Sequence, residues 1–151
     1  MNFRIREVDA TEEHYNEELT NLHDLTFLDP SIRADFENGY WWLVWDDEFP
    51  PSAKHPPMAF CGFTLAALTP GAGYLKRAGV MRAFRGQGLQ RRLITVREKK
   101  ARTLGLVTML TDTTDNPPSA NSLIRAGYRI FEPSYRWAFN YSIYWTKDLT
   151  K

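Results

Sequence analysis

Arg85-Gly86-Gln87-Gly88-Leu89-Gln90-Arg91 sets two glycines and two arginines directly after a stretch with strand character, Tyr74 to Met81. Glycine at positions 86 and 88 lets the chain turn sharply and approach a ligand without a Cβ in the way. From Leu89 the pattern changes. Apolar residues at Leu89, Leu93, Val96 and Leu104, with charges between them, predict a helix from Leu89 to Leu104 that stops at Gly105. A tight turn opening into a helix collects unpaired N–H groups at the positive end of the helix dipole, and that chemistry suits an anion. The dinucleotide fingerprint is incomplete, because Arg91 stands where its third glycine would be, and the ATP-type phosphate loop is absent.

A second constellation lies downstream, in T-D-T-T-D-N-P-P-S-A-N-S-L-I-R-A-G-Y from Thr111 to Tyr128. Together the two stretches resemble the GNAT acetyltransferase superfamily. Arg85 and Gly88 match its pyrophosphate loop, while Gln90 departs from it, a small residue being usual there. Asn116, Gly127 and Tyr128 fall in the register of its later Asn and Gly-aromatic pair. The resemblance covers roughly Tyr74 to Tyr128. It implies an α/β fold with a mixed, mostly antiparallel sheet of six to seven strands, flanked by helices and splayed between its central strands.

The resemblance also implies acetyl-CoA as co-substrate. Residues Arg85, Gly86, Gln87, Gly88, Leu89, Gln90 and Arg91 would hold the pyrophosphate. Backbone groups of Gly79 and Val80 would pair with the pantetheine amides, and the Asn116 amide would meet the arm from its other side. The expected reaction is transfer of an acetyl group to a primary amine of a small molecule or peptide by direct attack. Two departures bear on catalysis. The usual acid, a Tyr seven residues after the Asn, is Leu123 here, and a Glu often found on the central strand is Lys76. Asp112 and Asp115 are then the candidates for general base. Ser122, Ser119, Tyr128 or Tyr141 could stand in for the acid, or the thiolate could leave unaided. A non-catalytic acyl-CoA-binding module is the alternative, and a nucleic-acid surface on the basic helix a third reading.

These residues need a scaffold, and 151 residues with 43% hydrophobic content suffice for one domain spanning 1–151. Phe3 to Val8 alternates as an edge strand. Thr11 is the expected cap of a helix through Leu25 and Thr26, and a second short helix is expected over Ser31 to Asn38. Strands follow at Tyr40 to Trp45, Met58 to Leu68, Leu106 to Thr111, Tyr128 to Phe131 and Trp137 to Trp145, with a proline-rich loop from Asp46 to Pro57 and a short helix from Ala120 to Ala126. Trp41, Trp42 and Trp45 read as sheet packing, because no basic residues interleave with them as in a base-stacking surface.

Charge is uneven. Residues 1–50 carry thirteen of the eighteen acids, whereas residues 82–102 carry eight bases against Glu98 alone. The acidic part suggests a cationic acceptor. The one cysteine, Cys61, forms no internal disulfide and reads as an inert strand residue. His14, His23 and His55 lack metal-ligand spacing, so no metal is expected. No apolar run approaches the ~20 residues that span a bilayer, and M-N-F-R-I-R-E-V-D has no signal-peptide core. The expectation is a cytoplasmic protein, monomer or homodimer, without nucleic acid or membrane as partner.

Overall fold

A computed structural model describes residues 2–27, 35–48 and 55–151. Its elements run β1 (Phe3–Val8), α1 (Glu13–Thr26), β2 (Tyr40–Asp46), β3 (Ala59–Leu65), β4 (Ala72–Val80), a 3-10 turn (Arg82–Phe84), α2 (Leu89–Thr103), β5 (Thr108–Thr113), α3 (Pro117–Arg125), β6 (Arg129–Ile130) and β7 (Ile143–Asp148). The seven strands form one open sheet in the order β1-β2-β3-β4-β5-β7-β6. The ladders β1/β2, β2/β3, β5/β7 and β6/β7 are antiparallel. β4 and β5 pair in parallel, Ala72 with Thr108 through Tyr74 with Leu110, and α2 supplies the crossover that a parallel pair requires.

The chain divides into two compact units, Met1–Thr64 with Lys76–Leu89, and Leu65–Leu75 with Gln90–Lys151. In the first, α1 lays Leu19, Leu22 and His23 against strands whose inward residues are large. Leu19, Leu22, Phe36, Trp41, Leu43, Trp45 and Phe60 form its core, each nearly or wholly inaccessible. Gly79 permits the close approach of α1 to β4: a Cβ there would lie 2.3 Å from Thr26 Oγ1 and 2.8 Å from Phe60 Cε1.

In the second unit, α2 packs its buried Leu93, Ile94, Arg97, Glu98 and Ala101 inward. Glu98 accepts from Tyr128 Oη at 2.7 Å and from Lys147 Nζ at 3.1 Å, tying α2 to β7 and to the chain after α3. Burial, then the Glu98 carboxylate, raises the Tyr128 phenol far above its ordinary range. α3 closes with Tyr128 N donating to Leu123 O and Gly127 N donating to Ile124 O, which satisfies two terminal carbonyls.

Several expectations need correction. Thr11 does not cap α1. Asp9 captures it instead, with Asp9 Oδ1 accepting from Thr11 N at 2.9 Å and from Thr11 Oγ1 at 2.5 Å, and the helix starts two residues later behind Glu12. Trp137 to Trp145 is not one strand. Arg136 reaches Glu132 and the carbonyls of Asn140 and Ser142, which folds residues 132–142 into an irregular segment and leaves β7 to begin at Ile143. β3 ends at Leu65, three residues short of Leu68. The second helix expected over Ser31 to Asn38 lies mainly outside the described residues, and Asp35 to Asn38 is not helical. Part of the Asp46 to Pro57 loop also lies outside them.

Candidate functional site

β4 ends at Val80, the 3-10 turn bends the chain, and Gly86 (φ 78°) and Gly88 (φ 80°) lead it into α2 at Leu89. Both glycines sit in the left-handed region that a side chain disfavours. A Cβ built on either one meets no atom within 4 Å, so the turn faces open space. Arg85 Nε donates to Val80 O at 3.1 Å, clamping the turn back onto the strand end. Leu89 is 2% exposed and anchors the first turn of α2 in the core, while Gln87 and Arg91 are exposed and Gln90 is half-buried. The first N–H groups of α2 have no acceptor within the helix.

Gly79 and Val80 are buried at the end of β4. Asn116 is exposed and caps α3, its Oδ1 accepting from Ser119 N at 3.2 Å. Its side-chain NH2 is left to donate elsewhere.

Among the carboxylates, Asp112 is already engaged. Oδ2 accepts from Tyr74 Oη and from Trp137 Nε1 at 2.8 Å, with Trp137 packed edge-on against Tyr144 at 4.6 Å between ring centres. Asp115 is exposed and holds a left-handed φ of 49°, uncommon for a residue with a side chain. Ser122 Oγ donates to Pro118 O at 3.1 Å. Leu123 is buried in the core. Tyr128 donates to Glu98, and Tyr141 is exposed, stacked on Phe139. Each hydroxyl the sequence offered as a substitute acid, apart from Ser119 and Tyr141, is thus committed to a structural acceptor.

The sequence matches the acetyltransferase (GNAT) family over residues 6–128, a span that includes both the glycine turn and the stretch around Asn116. The chain belongs to the GNAT family. Solved structures of other GNAT proteins share its fold. An acetyltransferase of the GNAT family from Staphylococcus aureus Mu50 aligns with a TM-score of 0.75 at 17% identity, covering 98% of this chain and 99% of that one. A Bacillus subtilis acetyltransferase in complex with CoA aligns at 0.70 and 17%, covering 97% and 99%. A chain of the NatC complex bound to Gag peptide and CoA aligns at 0.75 and 15%, covering 98% and 99%. No curated protein matches the sequence.

Within this GNAT chain the sequence reading missed a cluster beside Gly79. Arg77 Nη1 donates to His23 Nε2 at 3.1 Å, and its guanidinium lies over the Phe27 ring at 5.5 Å. A guanidinium can only donate, so Nε2 accepts and His23 is a neutral imidazole with its proton on Nδ1. Asp24 Oδ1 is 3.8 Å from that nitrogen. Burial, then the charge of Arg77, lowers the His23 pKa below its ordinary value of 6.5, with Asp24 opposing. The unfolded chain therefore binds a proton near pH 6.5 that the folded chain refuses. Stability contributed by neutral His23 is full above pH 6.5 and is lost as the pH falls through the folded value. Melting temperature should drop between pH 7.5 and 5.5, and His23→Gln, which keeps an acceptor for Arg77, should flatten that slope.

Among the described residues no group of His, Cys, Asp and Glu is placed to hold a metal ion, and no helix is long and apolar enough to cross a membrane.

Proposed function

We propose that the chain is an acetyl-CoA-dependent N-acetyltransferase, a single domain over residues 1–151, that acetylates a primary amine of a small molecule or peptide. The observation that carries this reading is the turn at Gly86 and Gly88 opening into α2, with open space where two side chains would stand, in a chain of the GNAT family. N–H groups from Gly86 to Arg91 take the diphosphate of CoA, and Arg91 adds charge-assisted bonds. The backbone of Gly79 and Val80 pairs with the pantetheine amides. The CoA-bound Bacillus subtilis neighbour supports the choice of ligand.

In the reaction the neutral amine attacks the thioester carbonyl, a backbone N–H near Val80 stabilises the oxyanion, and the C–S bond breaks to release CoA thiolate. Asp115, exposed, is the better base for the amine proton. Asp112 Oδ2 already accepts from Tyr74 Oη and Trp137 Nε1, which occupies the lone pairs of that oxygen. With Leu123 aliphatic and Ser122 bonded to Pro118, the thiolate leaves unprotonated. A thiolate is stable enough as an anion to leave without prior protonation.

The same commitments favour a second reading, an acyl-CoA-binding module that performs no transfer. The two are separated by following CoA thiol release from acetyl-CoA over polyamines, aminoglycosides, amino acids and peptide N-termini. Release that depends on an acceptor supports the transferase. Binding of CoA with no release across the panel supports the module.

A further inference from the structure

Asp112 stands near the end of β5, and its surroundings come from one compact unit: Tyr74 lies in Leu65–Leu75, and Asp112 and Trp137 lie in Gln90–Lys151. All three residues are half-buried. Oδ2 accepts from both Tyr74 Oη and Trp137 Nε1. Among the described residues that leaves Oδ1 without a donor and the carboxylate without an ion pair. The two rings meet edge-on, 6.1 Å apart at their centres and 77° apart in plane, so aromatic surface flanks the carboxylate.

The segment that brings Trp137 here is irregular, yet it is held at several points. Tyr144 Oη accepts from Ala138 N at 2.8 Å, and Ser142 Oγ accepts from Phe139 N at 3.1 Å. Ser142 Oγ also lies 2.6 Å from Thr114 Oγ1, just past the end of β5. Arg136, next to Trp137 in the chain, is 2.8 Å from the Glu132 carboxylate, so its charge is matched there and not at Asp112. A fixed carboxylate oxygen beside two aromatic rings is complementary to an alkylammonium group, which gains a charge-assisted hydrogen bond from the oxygen and attraction from the ring faces. An anion would be repelled there, and an apolar group would cover the carboxylate without pairing it.

We propose that Asp112, Tyr74 and Trp137 form a subsite for a second, non-reacting ammonium group of the acceptor, and that the acceptor is a diamine or polyamine. The proposal rests on the transferase reading above, in which Asp115 takes the proton of the reacting amine. Three residues along the chain separate Asp112 from Asp115, at most about 10 Å. An aliphatic diamine spans such a gap, one nitrogen charged at Asp112 Oδ1 and the other neutral for attack on the thioester. The transfer step is unchanged: the C–N bond forms, the C–S bond breaks to release CoA thiolate, and the proton of the attacking nitrogen passes to Asp115.

The test measures kcat/KM of the full chain with acetyl-CoA over terminal diamines from diaminopropane to diaminooctane, each against the monoamine of the same carbon number. At the best length the diamine should exceed its monoamine by roughly tenfold or more, the gain expected where a cation is partly desolvated against aromatic rings. Asp112→Asn keeps an oxygen that accepts from Tyr74 and Trp137 but removes the charge, so it should pull that ratio toward one while CoA affinity in calorimetry stays the same. Tyr74→Phe keeps the ring and gives up the hydrogen bond, and it should preserve the preference. The wild-type ratio and Tyr74→Phe stand as independent readings if the Asn variant folds poorly. Diamines no better than monoamines at any length, a ratio untouched by Asp112→Asn, a preference lost in Tyr74→Phe, or CoA binding without turnover of any diamine would each overturn the proposal. Failure of CoA to bind at all would instead overturn the transferase reading beneath it.

Discussion

Replacing Gly88 by valine should reduce CoA affinity by roughly a hundredfold or more while leaving a folded protein. Charge-assisted hydrogen bonds to a phosphate contribute about 1.5–3 kcal/mol each, and misplacing one or two N–H groups in the turn accounts for that loss. The cost to the fold is smaller. No atom lies within 4 Å of the new Cβ, so only the left-handed φ of 80° is strained, at about 1–2 kcal/mol. In a chain of this length that corresponds to a fall in melting temperature of about 2–8 °C. Titration calorimetry and thermal melting of the same sample separate the two effects. A variant that binds CoA like the parent would show that the turn does not hold the diphosphate.

The second large effect is one of stability. Lys147→Met should destabilise the chain by about 3 kcal/mol, at the low end for breaking a buried ion pair because Lys147 is itself partly accessible. The side chains of Glu98 and Lys147 are 7% and 22% exposed, so the variant leaves a buried carboxylate with Tyr128 as its remaining described partner. Lys147 Nζ also donates to Ala126 O at 2.8 Å, next to Gly127, so the loss should loosen the end of α3 as well. Glu98→Gln added to Lys147→Met removes the stranded charge and should restore much of the stability, since a glutamine carbonyl still accepts from Tyr128. Denaturant unfolding gives both numbers. A single-variant loss below about 1 kcal/mol, or a double variant no better than the single, would assign the pair a surface-like role.

What the sequence made legible follows from the range of the interactions involved. β1, β2 and α2 depend on periodicity within a few residues, and their spans are close to those read from the pattern. The glycine turn is legible for the same reason, because residues 86 and 88 impose its shape locally. α1 was misjudged at its start because two side chains competed for one role, and Asp9 took Thr11 before it could cap the helix. Aromatic content made Trp137 to Trp145 look like a strand. Yet Trp137 serves Asp112, 25 positions away, and Arg136 fastens the segment into a loop.

The same limit applies to chemistry. Nothing near Asp112 in sequence announces that Tyr74 and Trp137 converge on its carboxylate. The His23–Arg77 contact joins residues 54 positions apart, and no spacing rule predicts it. The backbone shape of a turn is written locally in glycines, whereas side-chain electrostatics are assembled by the fold.

The most direct measurement is calorimetric titration of the protein with CoA and, separately, with pantetheine, which lacks the diphosphate. The account predicts saturable one-to-one binding of CoA and binding of pantetheine at least a hundredfold weaker. Absence of heat with CoA, or pantetheine binding as tightly as CoA, would contradict it.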